Sequence, residues 1–284
     1  MVPTPAYSLR IGSGLLSLAR PCVMGILNLT PDSFFTGSRQ ASAEAALAQA
    51  RQMLTEGADI LDLGAVSTRP GADDVPEAEE WARLQPALEA IRQALPHAVL
   101  SVDTFRASVA QRALAAGANI VNDVTGGQDP EMWPAVAAAR APYILMHMRG
   151  TPQTMAGLTD YDDVTTAVAQ YLLERLAAAR AAGVADVVLD PGIGFAKTPA
   201  LSFTLLRELP ALAVLGAPLL IGLSRKGLIW KTLGINPDDA LNGTTALHMV
   251  ALQGGAHILR VHDVRPAVEA VRLFEAVQGR GLTT

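Results

Sequence analysis

One short phrase recurs along the chain and constrains its fold more than any other feature of the sequence. Each copy consists of a glycine, a short polar link, an apolar trio and a polar residue. Glycine suits the left-handed position that ends a helix, and a short aliphatic run between polar residues is typical of a strand buried on both faces. The phrase therefore predicts a helix followed by a buried strand, at residues 57–62, 117–123, 183–190 and 255–262.

Further buried runs lie between these copies, at residues 23–27, 99–102, 143–146 and 219–221, which brings the predicted strands to eight. The segments between the runs have the period of helices that bury one face. Thr198 and Asn236 each precede a proline and are predicted to cap the helices that follow. The clearest helical positions are Trp81, Leu84, Leu88, Ile91 and Leu95, and then Val164, Val168, Tyr171, Leu172 and Leu176.

Eight strand–helix units in 284 residues match a (β/α)8 TIM barrel, for which about 250 residues is typical. We expect one domain over residues 1–284, in which residues 1–22 are an N-terminal extension or hairpin over the bottom and residues 23–280 are the barrel. A doubly wound open sheet is the alternative. In both folds, ligands bind beyond the carboxyl ends of the strands.

Composition narrows the class of protein and its surroundings. Half of the residues are apolar and 17% are charged, which excludes an intrinsically disordered chain. The net charge of −5 argues against nucleic acid or an anionic membrane as the partner. The longest apolar stretch, residues 209–223, is interrupted by proline and glycine, which argues against a membrane-spanning helix. The single cysteine has no second cysteine with which to form an internal disulfide. Because the first ten residues also lack a secretory pattern, we expect a soluble, cytoplasmic protein with small-molecule partners.

Polar side chains directly follow the predicted strands, so a barrel would gather them around one mouth. Asp103 and Asp190 would be partly desolvated there, and a ligand rich in N–H donors would compensate for their burial. Asp103 alternatively caps the helix that begins near Ala107. Asn122 both donates and accepts, which suits the edge of a heterocycle. The strand-end residues are Asn28, Asp62, Asp103, Asn122, Asp123, His147, Asp190, Ser224, Arg225, Lys226, Arg260 and His262.

The cations among these residues predict an anionic ligand. The chain has only three lysines, so Lys226, directly after the seventh predicted strand, is informative. Together with Arg260 and His262 after the eighth strand, it would build a positive cluster where barrels commonly bind phosphate. Ion pairing with Asp190 and Asp263 is the alternative use of these cations.

Two loops rich in Pro, Gly, Ser, Thr and Asp follow the first two predicted strands, at residues 28–38 and 67–74. Their place above the mouth makes them candidate lids that exclude water from a reactive intermediate. Ordinary surface loops have a similar composition, and the sequence leaves both interpretations open.

The ordered set of motifs resembles the dihydropteroate synthase family, folate-pathway enzymes that sulfonamides inhibit. The resemblance extends from about Met24 to Val264, and its specificity lies in the whole set and its order. The motifs are MGILNLTPDSF at 24–34, STRPGA at 67–72, SVDT at 101–104, NDV at 122–124, MHMRGTP at 146–152, DPGIGF at 190–195, SRK at 224–226 and RVHDV at 260–264.

The resemblance implies a reaction in which para-aminobenzoate displaces pyrophosphate from 6-hydroxymethyl-7,8-dihydropterin diphosphate and gives 7,8-dihydropteroate. It implies a dissociative substitution, in which the leaving group departs before the amine attacks. It also implies Mg²⁺ as the cofactor, with Asn28 as a ligand, and a homodimer formed through the last helices. The implied catalytic residues are Asp103, Asp190, Lys226 and Arg260.

The resemblance further assigns residues of this chain to three groups. The implied pterin pocket consists of Asp103, Asn122, Met146, Asp190 and Lys226. The implied diphosphate end consists of Asn28, Arg69, Arg260 and His262. The implied para-aminobenzoate pocket consists of Thr68, Arg69, Pro70, Phe195, Ser224 and Lys226.

The chain departs from the family pattern in places. Val66 stands where many members carry a glutamate, so any ion pair of that glutamate is missing. Residues 35–37 read FTG where SDG is commoner, and residues 227–230 read GLIW after the SRK motif. These departures affect loops and one helix more than the implied ligands.

Other functions remain open at this point. A pterin-binding methyltransferase that uses methyl-tetrahydrofolate would share the pterin-holding Asp and Asn residues but would have no pyrophosphate to bind. A non-catalytic pterin-binding barrel would keep the fold and lose some ligands. A Schiff-base aldolase would use Lys226 as its nucleophile.

Overall fold

Each of the eight predicted buried runs is a strand in the computed structural model of the chain, which describes residues 7–29, 39–67 and 75–280. A two-stranded hairpin precedes them. The strands are β1 (Ser8–Ile11), β2 (Gly14–Ser17), β3 (Cys22–Asn28), β4 (Ile60–Gly64), β5 (Leu100–Asp103), β6 (Ile120–Asp123), β7 (Tyr143–Met146), β8 (Val187–Asp190), β9 (Leu220–Gly222) and β10 (Ile258–Val261).

Helices alternate with these strands, as the hydrophobic period predicts. Two helices, separated by a short 3₁₀ turn at Pro237–Asp239, connect β9 to β10. The helices are α1 (Arg39–Glu56), α2 (Glu77–Ala94), α3 (Ala107–Ala115), α4 (Met132–Ala139), α5 (Val164–Ala181), α6 (Pro199–Arg207), α7 (Gly227–Leu233), α8 (Leu241–Gln253) and α9 (Val264–Val277).

The eight strands β3 to β10 form one parallel sheet that closes on itself. Their order is β8-β7-β6-β5-β4-β3-β10-β9. The two end strands meet through a bridge between Leu189 and Leu219, next to which the Leu189 N–H donates to the Pro218 carbonyl at 2.8 Å. The (β/α)8 barrel is therefore confirmed, and the open doubly wound sheet is wrong.

The barrel interior has two layers with different chemistry. Pleating places residues i and i+2 of a strand on the same face, so each apolar residue low in the barrel is followed by a second inward residue nearer the carboxyl end. The lower layer is the buried apolar cluster Cys22, Met24, Ile60, Ile120, Ile144, Val188, Leu220 and Ile258. Two positions further along the strands lies the upper layer, Asp62, Asn122, Met146, Asp190 and Arg260. The polar strand-end residues thus share one end of the barrel.

The hairpin of β1 and β2 covers the bottom of the barrel, within the segment expected to be an N-terminal extension. Leu9 and Leu18 are 2% and 3% exposed and belong to the same apolar cluster as the lower layer. Leu15, in the same hairpin, is 73% exposed. The hairpin therefore closes the end of the barrel opposite to the polar mouth.

Three expectations about helix ends have different outcomes. The Thr198 side chain accepts from the Leu201 N–H at 3.3 Å, as predicted for a cap. Asn236 was predicted to do the same, but it precedes a 3₁₀ turn and its side chain makes no capping bond, so that expectation is wrong. Asp103 does not cap α3; the Ala107 N–H donates instead to Asp129, at 2.8 Å.

In the described ranges, no helix is both long enough and apolar enough to cross a membrane.

Candidate active site

Four polar side chains at the mouth form one connected network. Arg260 donates from Nε to Asp62 at 2.6 Å and from Nη2 to Asp103 at 2.7 Å. Asn122 donates from Nδ2 to the same Asp62 oxygen at 3.0 Å. The other oxygen of Asp62 has no hydrogen-bond partner among the described residues. Arg260 therefore compensates two buried carboxylates and links strands β4, β5 and β10.

Burial controls the protonation of this network. Burial raises the pKa of Asp103 to about 7, because desolvation outweighs the opposing effect of Arg260 and because Asp62 adds further negative charge. Burial alone would lower the pKa of Arg260, but Asp62 and Asp103 together raise it above its usual value. Arg260 is therefore charged at any physiological pH, and it opposes the protonation of Asp103 that burial favours.

Asp190 and Lys226 form the second charged part of the mouth. Burial raises the pKa of Asp190, and Lys226 and the Gly192 N–H oppose that rise; this N–H donates to Asp190 Oδ1 at 2.7 Å. Burial lowers the pKa of Lys226 to about 8, against the effect of Asp190. The two side chains flank the joint between β8 and β9, and they present an acceptor and a donor to the same space.

Backbone and aromatic contacts hold Lys226 in place. Its Nζ donates to the Ile193 carbonyl at 2.5 Å and lies 4.7 Å from the centre of the Phe195 ring. On β9 the upper layer has a glycine, and a Cβ at Gly222 would lie 3.6 Å from the same Nζ. The space left by that missing side chain is therefore next to the Lys226 ammonium.

The positive cluster predicted at the mouth is smaller than the sequence suggests. Arg225 pairs with Asp263 through bonds of 2.9 and 2.7 Å, so its charge is compensated away from the upper layer. Ser224 Oγ accepts from the His262 N–H at 3.1 Å and lies 3.1 Å from its ring Nδ1. Ser224 and His262 lie together after β9 and β10, and for Arg225 the alternative of an ion pair with Asp263 is confirmed.

An apolar platform adjoins the charged groups. Met146, in the upper layer on β7, is 2% exposed and clusters with other buried side chains at the mouth. Phe195 is half-buried against the same cluster. A flat heterocycle could lie on such a surface while its edges face polar groups. The other members of the platform are Val124, Met148, Met155, Ala196 and Phe105.

Some strand-end residues do not take part in the mouth. Asp123 accepts from the Thr125 and Gly127 N–H groups and from the Tyr143 hydroxyl, so it organises the loop behind β6. His147 lies 2.9 Å from the buried Lys197 ammonium nitrogen. Asn28, in contrast, lies at the end of β3 that faces the mouth, and it is half-buried. The predicted ligands Thr68, Arg69 and Pro70 lie outside the described residues, as does most of both candidate lids.

Sequence reasoning assigned no role to two residues that the structure places in this region. Asp62 was recognised as a strand-end acid, and its i+2 relation to the apolar Ile60 could have placed it inside the barrel. Lys197 was only counted among the lysines. It is 7% exposed, and the local sequence does not reveal that burial, because one of its partners, His147, is 50 positions away and follows another strand.

Comparison with known proteins relates the chain to pterin-binding enzymes. A family model described as "Pterin binding enzyme" matches residues 24–262. The dihydropteroate synthase of Synechocystis sp. is 47% identical over 262 residues, which cover 91% of this chain and 90% of that protein. The structure of the Xanthomonas albilineans dihydropteroate synthase with 4-aminobenzoic acid has a TM-score of 0.90 at 43% identity and covers 98% of this chain and 100% of that one. The complex of the enzyme from the same organism with 7,8-dihydropteroate has a TM-score of 0.86 at 41% identity, and it covers 97% of this chain and 100% of that one.

Proposed function

The chain belongs to the dihydropteroate synthase family of pterin-binding enzymes, and from that membership we propose how its mouth performs the family's reaction. Para-aminobenzoate displaces pyrophosphate from 6-hydroxymethyl-7,8-dihydropterin diphosphate, and 7,8-dihydropteroate is formed. The observation that carries the assignment is the mouth, where Asp190 in the upper layer and Lys226 after β9 flank an apolar platform that contains Met146. That combination suits a flat ring with N–H donors on one edge and a carbonyl on the other.

The pterin ring is proposed to lie on Met146 with its amino-pyrimidine edge towards buried acceptors. Asp190 accepts from ring N–H groups, which compensates for the desolvation that raises its pKa. Lys226 donates towards the carbonyl side, and Asn122, 4% exposed, offers both a donor and an acceptor. Asp103 belongs to the Arg260 network, which Asn122 joins through Asp62.

The leaving group is proposed to depart before the amine attacks. A pterin-methyl cation formed in this way would be stabilised by the buried carboxylate of Asp103. The weakly basic aromatic amine then attacks the cation, so no strong general base is needed. Para-aminobenzoate is proposed to bind beside Phe195 and Ser224, whose hydroxyl lies ahead of α7.

A magnesium ion is proposed to accompany the diphosphate. No group of three or more acidic, His or Cys side chains that could hold a metal occurs in the described part of the chain. Mg²⁺ commonly keeps several waters and binds through one or two protein carboxylates together with substrate phosphates. The amide oxygen of Asn28, at the end of β3, is proposed to take the place of such a carboxylate. When bound, the ion would neutralise charge on the pyrophosphate.

Product formation tests the proposed reaction directly. Purified protein is incubated with the pterin diphosphate, para-aminobenzoate and Mg²⁺, and both pyrophosphate and dihydropteroate are measured. We expect both products, together with slow pyrophosphate release in the absence of the amine if the leaving group departs first. If dihydropteroate does not form under any condition, the proposed function is wrong. If pyrophosphate release depends strictly on the amine, only the dissociative order is wrong.

Variants separate the site from the fold. Lys226→Met and Asp190→Ala should each lose at least about a hundredfold in kcat/KM, because each removes a buried contact to the pterin. Lys231→Met is the matched control, since Lys231 lies on the face of Trp230 outside the mouth. Near-normal turnover in the Lys226 or Asp190 variant would remove that residue from the site.

The homodimer is proposed to form through the last helices. Apolar side chains are exposed there: Val250 on α8 is 41% exposed, and Leu273 and Val277 on α9 are 64% and 75% exposed. Analytical ultracentrifugation should show a dimer that Val250→Asp dissociates. Leu173→Asp, on α5 with 54% exposure, is the control that should leave the dimer intact. A monomeric wild type would exclude the dimer.

The cytoplasm is the proposed compartment. Cys22 is a buried free thiol, and a reducing environment preserves that state. Expression with a fluorescent tag followed by fractionation tests this placement, and recovery in an oxidising compartment would contradict it.

A further inference from the structure

Lys197 is a buried lysine that the proposed reaction does not use. Its Nζ lies 2.9 Å from His147 Nδ1, 3.0 Å from the Gly192 carbonyl oxygen and 3.0 Å from the Phe195 carbonyl oxygen. His147 directly follows β7, whereas Gly192 and Phe195 belong to the turn after β8. One side chain therefore fastens that turn to the end of the neighbouring strand.

The fastened turn contacts the groups assigned to substrate binding. We call residues 192–195 the β8 turn. Its Gly192 N–H donates to Asp190 at 2.7 Å, and its Ile193 carbonyl accepts from Lys226 at 2.5 Å. Its Phe195 ring lies 4.7 Å from Lys226 Nζ. A displacement of the β8 turn would therefore move Asp190, Phe195 and Lys226 relative to one another.

The β8 turn is closed by its own backbone hydrogen bond and is packed directly against the backbone at His147. The Phe195 N–H donates to the Gly192 carbonyl at 3.0 Å, which closes the turn. Gly192 has φ of +66°, and a Cβ there would approach the His147 carbonyl oxygen to 2.0 Å. The peptide after His147 and the β8 turn thus touch directly, and Lys197 binds to both sides of that contact.

The network keeps its partners in either protonation state of Lys197. Burial lowers the pKa of His147 to about 3, so its ring is neutral at neutral pH, and burial lowers the pKa of Lys197 to about 7. An ammonium donates to all three acceptors. A neutral amine donates to the two carbonyls and accepts from the ring when His147 Nδ1 carries the proton. The link therefore depends on geometry more than on charge.

We propose that Lys197 is a positioning residue for both substrates: it fixes the β8 turn against the end of β7, and the turn in turn places Phe195, Asp190 and Lys226. Lys197 acts through these groups and touches neither substrate. This inference rests on the proposed function for its kinetic readout, but not for its structural readout.

Steady-state kinetics of Lys197→Met provide the main test, with Lys231→Met as the matched lysine control. We expect the KM values for para-aminobenzoate and for the pterin diphosphate to rise about tenfold or more, with kcat changed by less than about threefold. A role limited to folding would lower the active fraction, and therefore kcat, at unchanged KM. Unchanged KM values in a folded Lys197→Met variant would overturn the proposal.

Two further variants keep the test informative if Lys197→Met folds poorly. Lys197→Gln retains N–H donors, so its KM values should rise less than those of Lys197→Met. His147→Leu removes one acceptor and should raise both KM values, and its effect should be less than additive with that of Lys197→Met. Full additivity, or a His147→Leu variant with unchanged KM values, would contradict the link.

Hydrogen exchange separates this inference from the proposed reaction. The amides of residues 192–197 should exchange faster in Lys197→Met than in the wild type, whatever the enzyme catalyses. If the wild type makes no dihydropteroate but the exchange rate changes, the proposed function fails and the structural link stands. Unchanged exchange in this segment would overturn the link itself.

Discussion

At the scale of single residues, the mouth contains buried charged side chains that are stable only when an opposite charge compensates them. Arg260 is the only cation bonded to both Asp62 and Asp103 among the described residues. The interior of the barrel thus places two carboxylates and one guanidinium at the mouth where we propose that the substrate binds. A single substitution at such a position changes both stability and binding.

Removing Arg260 should destabilise the fold in a pH-dependent way. Arg260→Ala leaves two buried carboxylates uncompensated, so we expect the free energy of unfolding to fall by about 3–5 kcal/mol at pH 8. The native variant then binds more protons than its unfolded chain, because burial, no longer opposed by Arg260, holds the pKa of Asp103 above its unfolded value. Its stability relative to the wild type should therefore recover as the pH falls towards 5.

Urea unfolding at several pH values measures this effect. Arg112→Ala is the control, because its pair with Glu77 is exposed and should contribute at most about 1 kcal/mol at any pH. A pH-independent loss for Arg260→Ala would show that packing, not charge, is the cause. Diphosphate affinity should also weaken in Arg260→Ala, and isothermal titration would reveal unchanged affinity if the assignment is wrong.

Lys226 should impose an upper limit on the working pH. Its pKa is lowered to about 8, and only the protonated form carries the charge that suits the pterin carbonyl and the diphosphate. We expect kcat/KM for the pterin diphosphate to decline above pH 8, towards about tenfold per pH unit, because kcat/KM reports the free enzyme. Lys226→Arg stays charged and should have lower but pH-independent values between pH 8 and 10. The same decline in Lys226→Arg would exclude Lys226 as its source.

At the scale of elements, the turns after the strands fix the direction of the site residues. Gly192 in the β8 turn and Gly216 before β9 have nearly the same positive φ, +66° and +64°. Their surroundings differ, since a Cβ at Gly192 meets a carbonyl oxygen at 2.0 Å and a Cβ at Gly216 meets nothing within 4 Å. A side chain at Gly216 would therefore add only backbone strain, whereas a side chain at Gly192 would add a steric clash as well.

Alanine substitutions at the two glycines, made one at a time, distinguish the cost of the strain from the cost of the clash. Gly216→Ala should lower the free energy of unfolding by about 1–2 kcal/mol, the strain of a left-handed residue. Gly192→Ala should lower it further and should also weaken substrate binding, because the Gly192 N–H holds Asp190. Chemical denaturation and kinetics of the two variants decide the matter, and equal losses would show that the clash is relieved by a small shift.

The strands and most helices could be predicted from the sequence because their signal is local. Ile120 and Ile258 begin short apolar runs that end in polar residues, and this pattern survives without knowledge of neighbours. The partners of the polar residues could not be predicted in the same way. Arg260 bonds to Asp62 across 198 positions of sequence. The sequence offered Asp263 as an ion-pair partner for the cations at the mouth, but it did not show that Arg225, and not Lys226, makes this pair. Side-chain direction at the mouth depends on contacts that only the closed barrel provides.

At the scale of the whole molecule, stability and chemistry occupy opposite ends of the barrel. The hairpin covers the apolar lower layer, whereas the predicted ligands lie in or above the upper layer. TIM barrels generally divide the two tasks in this way. Changes at the bottom should therefore alter stability and leave kinetic constants unaffected.

Two leucines of the hairpin test this division. Leu9→Ala removes a side chain that is 2% exposed and should lower the free energy of unfolding by about 2–5 kcal/mol. Leu15→Ala, at 73% exposure, should change it by less than about 0.5 kcal/mol. KM values of both variants at a temperature where they are folded should match the wild type. A raised KM in Leu9→Ala would show that the two layers are coupled.

The joint between β8 and β9 is the thinnest part of the barrel wall, a bridge at Leu189 and Leu219 with a neighbouring backbone bond to Pro218. Asp190 stands at the top of one side of this joint, and Lys226 follows the strand on the other side. A ring that binds both residues would link the ends of β8 and β9. The substrate would then complete the closure of the barrel that binds it, and the empty protein would be the more easily opened form.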